Sequence, residues 1–219
     1  MQDPFLRLTG PSRAIVTEEP AHVEIQLRVK GGTKSEDCPL MSHPWYFNSI
    51  SYLGLRSLHT PIVGDRCTMM LSVEEIYDSV QATIVGIHVH VPQGRPSPFQ
   101  YGGRVVCSSL PRRNGRLPDP QGTAADPSFR QVMLHDGEVT TCSKGYINNL
   151  SRHVVSVKLR GKLAVVVEAR SQFGAIAGQV AVSVKAQKCD ITEDICQLGD
   201  SKLKIAVAWS RLVRDKSYL

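Results

Sequence analysis

Aromatic side chains are scarce in this chain: Phe, Trp and Tyr make up 6% of its 219 residues, with two tryptophans among them. That scarcity excludes a broad aromatic binding platform and leaves the 42% hydrophobic content to Val, Ile, Leu and Ala, which suit pleated sheet surfaces. Long apolar runs are missing as well. The longest, Leu163-Ala164-Val165-Val166-Val167, stops at Glu168, far short of a bilayer span, and Met1-Gln2-Asp3-Pro4-Phe5-Leu6 has no apolar leader character. The expectation is a chain with no membrane segment and no secretory signal, placed in the cytoplasm or nucleus.

Signatures of chemistry are also lacking. No Gly-x-Ser-x-Gly elbow surrounds any serine, and neither Gly-x-Gly-x-x-Gly nor a P-loop occurs, so hydrolase and nucleotide chemistry have no foothold. The six cysteines, Cys38, Cys67, Cys107, Cys142, Cys189 and Cys196, stand too far apart for a zinc knuckle or a thioredoxin-like pair. Their even count permits three disulfides, but a reducing compartment makes buried free thiols the expectation. No cofactor is expected, and the chain is read as no enzyme.

What is present is period-two alternation. His22-Val23-Glu24-Ile25-Gln26-Leu27-Arg28-Val29-Lys30 puts Val23, Ile25, Leu27 and Val29 on one side and polar groups on the other, a strand with one solvated face. Val180–Gln187 and Lys202–Ser210 repeat the device, and in the second Trp209 shares the parity of Leu203, Ile205 and Val207, which points it inward. Trp45-Tyr46-Phe47 reads as strand and core filler. Across Ser79–Val91 the apolar parity changes side near Val85-Gly86, as a β-bulge would make it do. Arg160-Gly161-Lys162, between Val154–Leu159 and Leu163–Ala169, reads as a tight hairpin. Residues 108–128, rich in Pro, Arg and Gly, read as an exposed loop. About ten short strands with turn signals between them predict one all-β domain over residues 1–219, an antiparallel β-sandwich with little helix.

The 26 Lys and Arg exceed the 20 Asp and Glu by six, and residues 1–60 carry six of each sign, so the excess is spread through the rest. A spread excess is weak evidence for nucleic acid. Its densest part is Arg112, Arg113 and Arg116, the candidate contact with RNA phosphates or an acidic protein. His88 and His90 share a strand face roughly 7 Å apart, a weak metal candidate that needs a third ligand from His59, His135 or His153. Cap-type recognition of a methylated base would need two exposed indoles, and only Trp45 and Trp209 exist. Asn149-Leu150-Ser151 fits a glycosylation sequon, which lacks meaning without secretion.

Phe5–Val16, His22–Gly31 and Lys34-Ser35-Glu36-Asp37, with the later segments Ser79–Ile84, Ser151–Val157 and Ile205–Ser210, resemble the cereal-grass family called domain of unknown function 6598. Its members occur alone or fused behind ribosome-inactivating domains in jasmonate-induced proteins, so the resemblance implies a stress or defence setting and no established chemistry. This chain departs from the family pattern at Cys38, where Lys is usual. A strand segment that usually precedes the Asp-Pro entry is also missing, so relative to the family the amino end reads as truncated. Val167-Glu168-Ala169-Arg170-Ser171-Gln172-Phe173 resembles the Glu-Ala-Ala-Arg-Phe segment of the rRNA N-glycosidases, but there Glu and Arg lie three apart on a helix. Here they lie two apart on a strand, as in a cross-strand surface charge pair. The expected function is a non-catalytic interaction module with a protein partner. The alternative is an RNA-binding or translation-linked accessory domain, and a glycosidase-like enzyme comes third.

Overall fold

The computed structural model describes residues 21–33, 36–47, 57–74, 76, 78–110, 131–140, 145–147 and 149–211. Among the described residues there is no α-helix, and twelve strands pair entirely antiparallel, two more than the ten expected from spacing. The all-β class read from the alternation is therefore the class observed. Contacts divide the chain into two compact units, one within residues 16–76 and one mainly within 77–219. The reason is that each unit closes a hydrophobic core of its own.

In the smaller unit β1 (Ala21–Val29) pairs with β2 (Cys38–Phe47), and β3 (Ser57–Val63) pairs with β4 (Thr68–Glu74). Met41, Trp45 and Ile62 form the buried centre, with Ile25, Leu27 and Phe47 packed against it. The aromatic triplet is thus core filler on one face only, because Tyr46 points out and is 50% exposed. The alternation of β1 is buried at its middle; Val23 and Val29 stay in solvent. Gly64 turns β3 into β4 against β2, where a Cβ would fall 2.8 Å from Met41 Cγ.

The larger unit is a sandwich. Its strands are β5 (Ser79–His90), β6 (Gly103–Leu110), β7 (Val132–Gly137), β8 (Val154–Lys158), β9 (Lys162–Arg170), β10 (Ile176–Lys185), β11 (Asp190–Leu198) and β12 (Ser201–Arg211). They form two four-stranded sheets, in the orders β10-β9-β6-β7 and β11-β12-β5-β8. Ile84, Ile87, Leu203 and Ile205 from one sheet meet Val165 and Val167 from the other in a continuous aliphatic core. Each such side chain contributes about 1.5–3 kcal/mol relative to exposure, so the interior has no room for an unpaired charge. Trp209 lies in this core, 3% exposed, and its Nε1 donates to Thr192 Oγ1 at 2.7 Å.

The bulge falls where the parity change puts it. Gly86 pairs with Ala206 while Ile84 pairs with Val207, so Val85 is the extra residue, 59% exposed, and both Ile84 and Ile87 reach the core. The expected hairpin at Arg160-Gly161-Lys162 does not form. The flanking strands lie in opposite sheets, because β6 and β10 already occupy both edges of β9, while β8 pairs with β5. The turn instead carries the chain across the core, tight against β6: a Cβ on Gly161 would sit 2.5 Å from the Leu110 carbonyl oxygen. The loop placed at 108–128 starts later than expected, since Ser108, Ser109 and Leu110 belong to β6 in register with β9. The remainder of that loop lies outside the described residues.

β11 is a sheet edge, and it is blunted. The Ile191 and Ile195 amides donate to Asp190 Oδ1 and Asp194 Oδ1, at 2.7 Å and 2.9 Å, rather than standing free for another strand.

Candidate interaction surface

Beyond the bulge, β5 directs Ile87 and Val89 inward, which sends His88 and His90 to the outer face. The ladder to β12 sets Lys204 beside His88 and Lys202 beside His90. On the far side β11 places Ile195 beside Lys204 and Gln197 beside Lys202. An isolated bridge sets Tyr146 on the other flank of His88, held by the Val89 amide on the Gly145 carbonyl and the Ile147 amide on the Ile87 carbonyl, both 2.9 Å. Two rows result: Ile195, Lys204, His88 and Tyr146, then Gln197, Lys202 and His90. Tyr146 meets His88 edge-on with ring centroids 4.9 Å apart, and its ring crosses Gly86, where a Cβ would fall 2.9 Å from Cδ1. Only a residue without a side chain lets the ring lie there.

This face is cationic. Lys204 Nζ bridges Glu193 Oε2 at 2.8 Å, and that hydrogen bond holds the Lys204 ammonium above its ordinary pKa against a small opposing effect of burial. Lys202 has no ion pair among the described residues. Asp200, in the adjoining turn, is engaged by Arg95 at 3.5 Å. Such surroundings disfavour the metal reading of His88 and His90, because each imidazole lies beside a lysine. No third ligand joins them among the described residues. His135 is buried with Nδ1 at 2.9 Å from the Asn149 carbonyl, His153 Nδ1 lies 3.3 Å from the Ile84 carbonyl, and the side chain of His59 lies outside the described residues. Among the described residues no three His, Cys, Asp or Glu gather in a metal-binding group.

The outer face of the opposite sheet carries a second charged constellation. Register aligns Asp136, Arg104, Glu168 and Gln179 across all four strands. Glu168 takes Arg104 Nη1 at 3.8 Å and a hydrogen bond from Gln179 Nε2 at 3.3 Å, and Arg170 Nη2 bonds Asp136 Oδ1. Glu168 and Arg170 thus each enter a cross-strand charge pair, as their place on a strand leads one to expect. Each residue is bonded to a different strand, and Glu168 is only 8% exposed. A strand backbone and carboxylates already tied to neighbouring side chains leave nothing resembling the helical glycosidase arrangement. Among the described residues Arg104 Nε is buried without a hydrogen-bond partner.

Five cysteines, Cys38, Cys67, Cys107, Cys189 and Cys196, are free thiols; Cys142 lies outside the described residues. Burial pushes the Cys107 thiol up to about 12, with Arg152 pulling weakly the other way, so it stays neutral and inert. Trp45 and Trp209 are core residues of separate units, 8% and 3% exposed, and offer no sandwich for a methylated base. The sequon asparagine is occupied: Asn149 Nδ2 donates to the Glu138 carbonyl. Arg112, Arg113 and Arg116 lie outside the described residues. The alternation of Lys202–Ser210 puts Lys202 and Lys204 on a solvated face and says nothing more of them, and Tyr146 sits in a short bridge with no periodic pattern around it.

No curated protein and no solved structure matches the chain. The family model described as a domain of unknown function (DUF6598) matches residues 1–207. That match spans nearly the whole sequence and takes in both units, and the chain belongs to this family.

Proposed function

We propose that this protein is a non-catalytic interaction module serving plant stress or defence in the cytoplasm or nucleus, and that its working surface is the outer face of β11, β12 and β5. The observation that carries the reading is the pair of ordered rows in which Lys202, Lys204 and the two histidines stand between Ile195 and Tyr146 on a hydrogen-bonded ladder. A ladder fixes such side chains at set spacings, so a partner meets them with little ordering cost. Among the described residues no helix is long and apolar enough to cross a membrane.

The test is affinity capture from stressed grass tissue with the full chain and its Lys202→Glu/Lys204→Glu variant, with and without nuclease, read by mass spectrometry. Partners recovered by the parent and lost by the variant support the module. Equal recovery by both removes the assignment of this face.

A second reading, an RNA-binding or translation-linked accessory role through Arg112, Arg113 and Arg116, draws on the net charge of +6 and the density of that cluster. Charge reversal at the three arginines should then abolish a salt-sensitive gel shift.

A further inference from the structure

The face of β11, β12 and β5 combines three properties. It is basic, with Lys204 and Lys202 in ladder positions beside His88 and His90, Lys204 bridging Glu193 and Asp200 taken by Arg95. It holds one aromatic ring, Tyr146, 42% exposed and propped on Gly86 and the edge of His88. It ends in an apolar side chain, Ile195, 66% exposed at the far end of the same row.

An acidic protein would need only the first property. A single strand of nucleic acid uses all three, because its phosphates seek the cations while its unstacked bases seek an aromatic face and an apolar contact. The Glu193–Lys204 bridge is no obstacle: with side chains 46% and 51% exposed it is a weak pair, and Lys204 exchanges the carboxylate for a phosphate at little cost. Duplexes fit poorly, since their bases are stacked away from such a ring.

We propose that this face binds a single-stranded polynucleotide, with a base stacked on Tyr146 and the backbone following Lys204 and Lys202 across the ladder. The proposal rests on the same working surface as the module reading and names its partner class.

The experiment measures anisotropy of a labelled single-stranded RNA of mixed sequence, roughly the length one small sheet domain covers, against the full chain over a salt series. Competitors are the matching RNA duplex and polyglutamate. The expected result is binding that prefers the single strand and weakens about tenfold in Tyr146→Ala, while Tyr146→Phe stays close to the parent. In Lys202→Gln/Lys204→Gln the log–log salt slope becomes shallower by about 1.4, two phosphate contacts at the single-strand value. The Arg112→Gln/Arg113→Gln/Arg116→Gln variant separates this face from the loop: binding lost there while the Tyr146 and lysine variants bind like the parent assigns the RNA to the loop and overturns the proposal. Thermal melting of each variant confirms that it folds.

Absence of binding, binding untouched by the Tyr146 and lysine changes, or equal competition by polyglutamate overturns the proposal. Should RNA fail while nuclease-resistant partners are still lost from the Lys202→Glu/Lys204→Glu capture, the polynucleotide is wrong and the module stands. Should both fail, both fall.

Discussion

Tyr146 lies across Gly86, and the space it fills is the one a side chain on Gly86 would take, 2.9 Å from ring atom Cδ1. Gly86→Ala should therefore push the ring away from His88 at little cost in stability, because the strand loses a glycine and regains about 0.5–1 kcal/mol of backbone entropy. The check is NMR. Ring resonances of Tyr146 and His88 should shift together while urea unfolding moves by less than about 1 kcal/mol. Unchanged rings would mean that the contact does not hold in solution.

The Arg104–Glu168 pair gives a sharper stability test. Removing the guanidinium leaves a carboxylate that is 8% exposed with only Gln179 beside it, and Arg104→Met should cost about 2 kcal/mol. Adding Glu168→Gln to that variant removes the orphaned charge and should restore more than half of the loss in urea unfolding. An additive double variant would show that the two side chains do not communicate.

Cys107 sets an alkaline limit. Its thiol is pushed up to about 12 in the fold against 9.0 for an ordinary cysteine, so the native state holds the proton more tightly. The stability this confers is complete below pH 9 and falls as pH rises toward 12, amounting to a loss of about 2 kcal/mol by about pH 10.5. Cys196 shifts upward as well, first through burial and then through Asp194, and adds to the same side. In Cys107→Val the decline in melting temperature above pH 9 should be visibly shallower than in the parent, and at pH 8 a thiol reagent should leave Cys107 unmodified until the fold is opened.

The blunted edge of β11 makes a prediction about solubility. Asp190→Ala/Asp194→Ala frees the Ile191 and Ile195 amides on a strand whose two isoleucines are 63% and 66% exposed. Size-exclusion chromatography should show concentration-dependent association of this variant at a melting temperature close to the parent's. A monomer at all concentrations would mean that the two carboxylates do not guard the edge.

Much of the architecture was legible because strands buried on one face write their burial into the sequence. Leu203, Ile205, Val207 and Trp209 are inward as their shared parity requires, and the parity change at Val85 located the bulge. β11 left no such trace. It turns Thr192, Asp194 and Cys196 inward and Ile191 and Ile195 outward, so its polarity opposes the usual code. The turn at Gly161 was misread because a tight glycine turn serves an arch between sheets as well as a hairpin within one, and only the occupied edges of β9 decide between them. Of the candidate surface, the histidine pair was visible. Tyr146 was not, since one residue touching a strand across a long sequence gap carries no local signature.

The crossing at Gly161 also decides how this unit can assemble. One sheet draws on β6, β7, β9 and β10, the other on β5, β8, β11 and β12, so the two layers are interleaved along the polypeptide. The first layer is whole only once β10 is made, with β8 of the other layer set within its run, and the second layer is whole only with β12. The chain must therefore wait for its last strand, β12, to slot between β5 and β11 before the hydrophobic interior is sealed. Completion of β12, rather than emergence of the early strands, is the step that seals this unit.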